Sequence, residues 1–144
     1  MMIASIQVVG STLTSSELDE ILQALSQNTL RFLCLQDCAL EEREFKDLCR
    51  AIEEGTSLEH LSLSGAMLQD TDRVSVLTSA LRRNASITNL SLNDNALKDA
   101  GVLSVVESLE LHPQLSCLNL SECQIGDDGI KAISRLLPPC KARP

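Results

Sequence analysis

The sequence predicts an α/β solenoid built from five strand–helix units. One short apolar frame recurs five times, and the stretch after each recurrence has the apolar spacing of a helix. The frame is clearest from Ile87 to Gly101, where Leu90 and Leu92 alternate with Asn89, Ser91 and Asn93 as strand side chains do. Ile87 fills an apolar slot before them, and Asn95 and Leu97 follow. The same slots fall at Ile3, Ile6, Val8, Ser11 and Leu13; at Leu30, Leu33, Leu35, Cys38 and Leu40; at Leu58, Leu61, Leu63, Ala66 and Leu68; and at Leu115, Leu118, Leu120, Cys123 and Ile125. Frame starts at 3, 30, 58, 87 and 115 give periods of 27, 28, 29 and 28. Apolar residues are 44% and aromatics 1%, so the core is aliphatic, as stacked leucine slots require.

A chain of 144 residues is long enough for one domain with a sizeable core. We assign 1–137 to the repeats and read 138–144 as a short disordered tail. The net charge of -8 argues against nucleic acid as a partner, because phosphate binding needs clustered Lys and Arg. No apolar run approaches the roughly 20 residues of a membrane span, so no membrane partner is expected. The N-terminal residues lack a basic n-region, and their apolar positions belong to the repeat frame, so no signal peptide is read.

In chain order, residues 3–9 read as the first strand. The helix after it is capped by Ser15 or Ser16, with Leu18, Ile21, Leu22 and Leu25 on one stripe. The second helix carries Phe45, Leu48, Cys49 and Ile52 inward. Glu42–Lys46 and Arg43–Asp47 are spaced to pair on its outer side, and Gly55 suits its exit. The third turns Val74, Leu77 and Leu81 inward and stops at Asn84. The fourth carries Val102, Val105, Val106 and Leu109 and is blocked at Pro113. The fifth places Ile130, Ile133 and Leu137 inward and ends at Pro138 and Pro139.

The pattern L-x-x-L-x-L-x-x-N-x-L resembles a leucine-rich repeat, and strand–helix units of about 28 residues resemble the ribonuclease-inhibitor-like class. Asn95, Leu97 and Gly101 match that class's N-x-L-x-x-x-G spacing, as do Cys123, Ile125 and Gly129. Glu17, Glu44 and Asp72 stand at the glycine position of the first three units. The resemblance implies a right-handed horseshoe segment with parallel strands on the concave face and helices on the convex face. The ends lack polar capping units, so the chain reads as a section of a longer array or assembly, or as a protein whose ends a partner covers.

Cys38 and Cys123 occupy the asparagine slot, where the resemblance allows cysteine. Cys49 lies on an apolar helix face, Cys34 and Cys117 on outward strand positions, and Cys140 in the tail. There is no C-x-x-C, and His60 and His112 lie at no ligand spacing, so no metal, cofactor or disulfide is expected. Structural thiols point to a reducing, cytoplasmic setting.

The resemblance also implies which residues meet a partner. Those between the slots face the concave side: Ser5, Gln7 and Val9; Phe32, Cys34 and Gln36; His60, Ser62 and Ser64; Asn89, Ser91 and Asn93; Cys117, Asn119 and Ser121. Asp37, Asp94 and Glu122 follow at the rim. From Phe32 to Ser121 this face is the expected binding surface for a protein partner. Phe32 is either its exposed aromatic anchor or is covered by a neighbouring repeat or N-terminal segment, and the acidic field favours a basic partner segment. His60 has no positioned nucleophile, no G-x-S-x-G surrounds a serine, and no phosphate loop is present, so the expectation is a non-enzymatic scaffold. The alternative is a fragment of a GTPase-activating protein or of an innate-immunity receptor with this repeat class. The first needs an arginine finger, and none of the strand-exit turns contains Arg. Three N-x-S matches occur, at Asn84, Asn89 and Asn119; two are strand positions of the repeat itself, so they are read as coincidence unless the protein is secreted.

Overall fold

The computed structural model describes residues 4–10, 12–65, 67–68 and 70–136. It alternates strands β1 Ser5–Val9, β2 Phe32–Gln36, β3 His60–Ser64, β4 Asn89–Ser91 and β5 Cys117–Asn119 with helices α1 Ser15–Ser26, α2 Glu42–Glu54, α3 Thr71–Arg83, α4 Lys98–Leu109 and α5 Asp127–Ser134. The strands form one parallel sheet in sequence order, each paired with its neighbours in the repeat. Helices pack helix to helix in the same order, which makes the second layer. Ile3, Ser11, Ala66, Leu137 and the 138–144 tail with Cys140 lie outside the described residues. Among the described residues no helix is long and apolar enough to cross a membrane.

Slot side chains build the core. Leu30, Leu33, Leu35, Leu58, Leu61, Leu63, Leu90 and Leu92 are buried between sheet and helices. Each middle leucine meets equivalent leucines above and below, so burying one contributes roughly 1.5–3 kcal/mol. At the two outer strands Ile6, Val8, Leu115, Leu118 and Leu120 are only half-buried, because each has a stacked neighbour on one side. Ile130 corrects the sequence reading for the same reason. It is 60% exposed, whereas its counterpart Val102 is fully buried against α5. Gly129 and Ala132 are the buried residues of α5.

Polar ladders tie the units together. Asn95 is fully buried; its Nδ2 donates to the carbonyls of Leu63 (2.7 Å) and Leu92 (3.0 Å), and its Oδ1 accepts from the Leu68 amide (2.9 Å). Cys123 repeats part of this by donating its thiol to the Leu92 carbonyl, and Cys38 donates to that of Val8. Every strand leaves through a residue in the left-handed region: Gly10, Asp37, Gly65, Asp94 and Glu122. The Asp37 and Asp94 amides donate to the next unit at Ser64 (3.0 Å) and Ser121 (2.9 Å), extending the sheet into the turns.

Helix entries explain the glycine position. Thr14, not Ser15 or Ser16, caps α1: its hydroxyl accepts from the Glu17 amide (3.1 Å) while Glu17 accepts from the Thr14 amide (2.9 Å). Glu44 accepts from the Glu41 amide in the same way. Glutamate therefore caps the first two helices where the repeat pattern has glycine. In the last two units the chain enters more tightly, and a Cβ on Gly129 would lie 2.5 Å from Ile125 Cγ2. On α2, Lys46 pairs with Glu42 at 3.7 Å, but no Arg43–Asp47 pair forms among the described residues. Gly55 does end α2, with extended rather than left-handed backbone.

Candidate protein-binding surface

Strand register sets the concave face. Ser5, Phe32, His60, Asn89 and Cys117 stand opposite one another as one row, and Gln7, Cys34, Ser62, Ser91 and Asn119 as the next. Adjacent members of a row are about 4.8 Å apart, the spacing of paired strands. Phe32 is 37% exposed, and its ring lies 5.9 Å from that of His60 with the planes tilted by 38°. These rings open a groove that continues over Ser62, Asn89, Ser91, Cys117 and Asn119. The backbone of Leu61, Leu90 and Leu118 runs along its floor, with the Leu61 and Leu90 side chains turned into the core.

Neighbouring hydrogen bonds orient the groove's polar groups. Asn119 Oδ1 accepts from the amide (2.9 Å) and hydroxyl (2.6 Å) of Ser121, so its Nδ2 is left to donate outward. Ser91 donates to Asn93 Oδ1 (2.6 Å), and Asn93 Nδ2 reaches the Asp94 carboxylate (3.2 Å). Thr88 holds Asn89 from the side, with 3.0 Å between its Oγ1 and Asn89 Oδ1. At the strand entrances Arg31 pairs with Glu59 at 3.4 Å; both are well exposed, and such pairs contribute little to stability.

Most residues expected on this face are there. Phe32, Gln36, Cys117, Asn119 and Ser121 are exposed, and Cys34, His60, Ser62, Asn89, Ser91 and Asn93 are half-buried. Ser64 is the correction, at 3% exposure. The chain turns at Gly65 immediately after it, packed so closely on Asp37 that a Cβ would fall 2.8 Å from the Asp37 nitrogen. That turn closes over Ser64. Leu118 packs against the core as its slot predicts but is only half-buried, covered on one side among the described residues. Asn84 is buried and donates Nδ2 to the Ile52 carbonyl (2.9 Å), so its N-x-S match is a structural turn. The thiols differ: burial pushes Cys49 up to about 12 and also raises Cys123.

Comparison with known proteins agrees with this geometry. A family model described as leucine-rich repeat matches residues 83–106 and 113–134. Leucine-rich repeat-containing protein 73 of Homo sapiens is 39% identical over 99% of this chain. The chain is a leucine-rich repeat protein. It spans 45% of that relative's length, so about half of the relative has no counterpart here. Ribonuclease inhibitor of Sus scrofa is 31% identical over 88% of the chain and 28% of its own length. NACHT, LRR and PYD domains-containing protein 14 of Mus musculus is 32% identical over 92% of the chain and 14% of its own length. Among solved structures, "Leiomodin-1 Actin-Binding Site 2 (ABS2)" superposes with a TM-score of 0.66 at 19% identity, covering 85% of this chain and 73% of that one. This last likeness is one of fold.

Proposed function

We propose that this repeat protein is a binding scaffold that takes a basic segment of a protein partner into the concave groove. The observation that carries the reading is the row Phe32, His60, Asn89 and Cys117, which sets an exposed ring beside hydrogen-bonding groups along one groove. Its aromatic member is one of only two in the chain and is not spent on the core. Charge selects the occupant. Asp37, Asp94 and Glu122 line the strand-exit rim, and the chain carries a net charge of -8. A basic segment is steered to such a surface, and weakened by salt, through ordinary electrostatic complementarity. Thiols held in the asparagine slots support a reducing, cytoplasmic location. No side chain in the groove is arranged as a nucleophile with a base, which favours binding over catalysis.

The test uses a purified partner and this chain. Phe32→Ala with Asn89→Ala is expected to weaken binding by about 30-fold or more, the size of a lost hot spot. Arg43→Ala on the convex α2 leaves it unchanged. Binding that survives the double change and is lost on altering the helices refutes the reading.

A further inference from the structure

The groove makes no use of His112, which lies between α4 and β5. Its Nδ1 accepts the backbone amides of Gln114 (3.2 Å) and Leu115 (3.1 Å), while its buried Nε2 makes no hydrogen bond of regular geometry among the described residues. One repeat earlier, 28 residues back, Asn84 fills the same place. Asn84 Oδ1 accepts from the amides of Ser86 (2.9 Å) and Ile87 (3.0 Å). Both side chains hold the two amides that lead into the next strand. They differ in that Asn84 also donates Nδ2 to the Ile52 carbonyl (2.9 Å), and in their protons. A carboxamide has no proton to gain near neutral pH, and an imidazole does.

An imidazole that accepts two N–H groups at Nδ1 is neutral and carries its proton on Nε2. Protonation puts an N–H at Nδ1, facing two other donors, and the bracket cannot hold. We propose that His112 is a pH-sensitive bracket that keeps β5 and α5 docked at neutral pH and releases them in mild acid. Burial holds the ring below its ordinary value, and the backbone of Asn84 opposes this more weakly. Charged groups around this connection are already engaged with one another. Arg83 pairs with Glu53 (3.9 Å), Glu110 with Arg135 (3.7 Å), and Arg31 with Glu59 (3.4 Å) on the edge shared with Gln114.

The sign follows from linkage. The released ring titrates near 6.5, and the docked ring lower, so the bracket is intact above pH about 6.5 and weakens as pH falls from there toward the docked value. If the docked ring takes no proton, opening rises up to about 30-fold between pH 7.5 and 5.0. Release would carry Cys117 and Asn119 out of the groove, a consequence that rests on the proposed binding surface, whereas the bracket does not.

Hydrogen exchange of the whole chain, with no partner present, tests this at both pH values after division by intrinsic rates. In the wild type, opening of residues 112–120 is expected to rise by more than about 3-fold, and by at most about 30-fold, at pH 5.0. In His112→Asn, which copies Asn84, it should rise less than about 3-fold, with neutral-pH protection retained. His112→Ala should be open at both. A His112→Asn chain with the wild-type pH response, a flat wild type, or a His112→Ala chain fully protected at pH 7.5 overturns the proposal. Because no partner enters the assay, any of these leaves the groove reading standing. Loss of the groove reading in turn leaves the exchange result unchanged.

Discussion

Asn95→Ala removes one side chain and takes a partner from the Leu68 amide and the Leu63 carbonyl in the middle of the solenoid, while the Leu92 carbonyl keeps the Cys123 thiol. Asn95 is fully buried, and its carboxamide serves the Leu68 amide and the Leu63 and Leu92 carbonyls, at 2.7–3.0 Å. Leaving a buried polar group unsatisfied costs about 1–3 kcal/mol, and two share one cavity here, so the expected loss is roughly 3–5 kcal/mol. That is a large part of the stability of about 5–15 kcal/mol usual for a domain. The protein supplies its own calibration. At the equivalent place Cys123 donates its thiol to the Leu92 carbonyl at 3.1 Å. Asn95→Cys should therefore keep a donor toward the carbonyls and lose the strong acceptor for the Leu68 amide, at a cost of about 1–3 kcal/mol. Chemical denaturation followed by circular dichroism measures both. A loss below about 1 kcal/mol for Asn95→Ala, or equal losses for alanine and cysteine, refutes the ladder as a stabilising element.

Leu90→Ala should cost roughly 2–5 kcal/mol through the cavity it leaves, and Ser91→Ala less than about 0.5 kcal/mol, by the same denaturation assay; equal losses would mean the strand faces are exchanged. Gly65→Ala forces a Cβ onto a backbone at φ +80 and to 2.8 Å from the Asp37 nitrogen, so it should destabilise by about 1–3 kcal/mol, whereas a change at open Gly10 meets no atom within 4 Å. Alkylation at pH 8 should modify exposed Cys117 and spare Cys49, whose buried thiol is pushed up to about 12; modification of Cys49 in the folded chain would contradict that burial.

The slot pattern made most of this fold legible. All five strands, their order and the inward stripes of α2, α3 and α4 follow from apolar spacing, because each slot meets a copy of itself in the next unit. Ile130 shows where that logic stops. Position in the repeat gives the direction of a side chain, but burial also needs a neighbour to cover it, and α5 has one on a single side. Thr14 escaped because Ser15 and Ser16 offer equally good hydroxyls, and only backbone geometry selects among them. Ser64 was hidden by a contact between turns of different units. Such a contact is invisible to a pattern that treats the turns alike. The bracket at His112 was available in principle from its 28-residue spacing to Asn84, but the two residues share an acceptor atom and nothing else, so composition does not relate them.

The central claim is that the concave groove, and not the helical face, receives the partner. Nitrogen-15 chemical-shift mapping of the chain, free and with a bound basic partner segment, tests this most directly. The account predicts that the largest perturbations fall on Phe32, His60, Asn89 and Cys117 and on the rim residues Asp94 and Glu122, and that they shrink with added salt. Perturbations confined to α2, α3 and α4, with those strand residues unmoved, would contradict it.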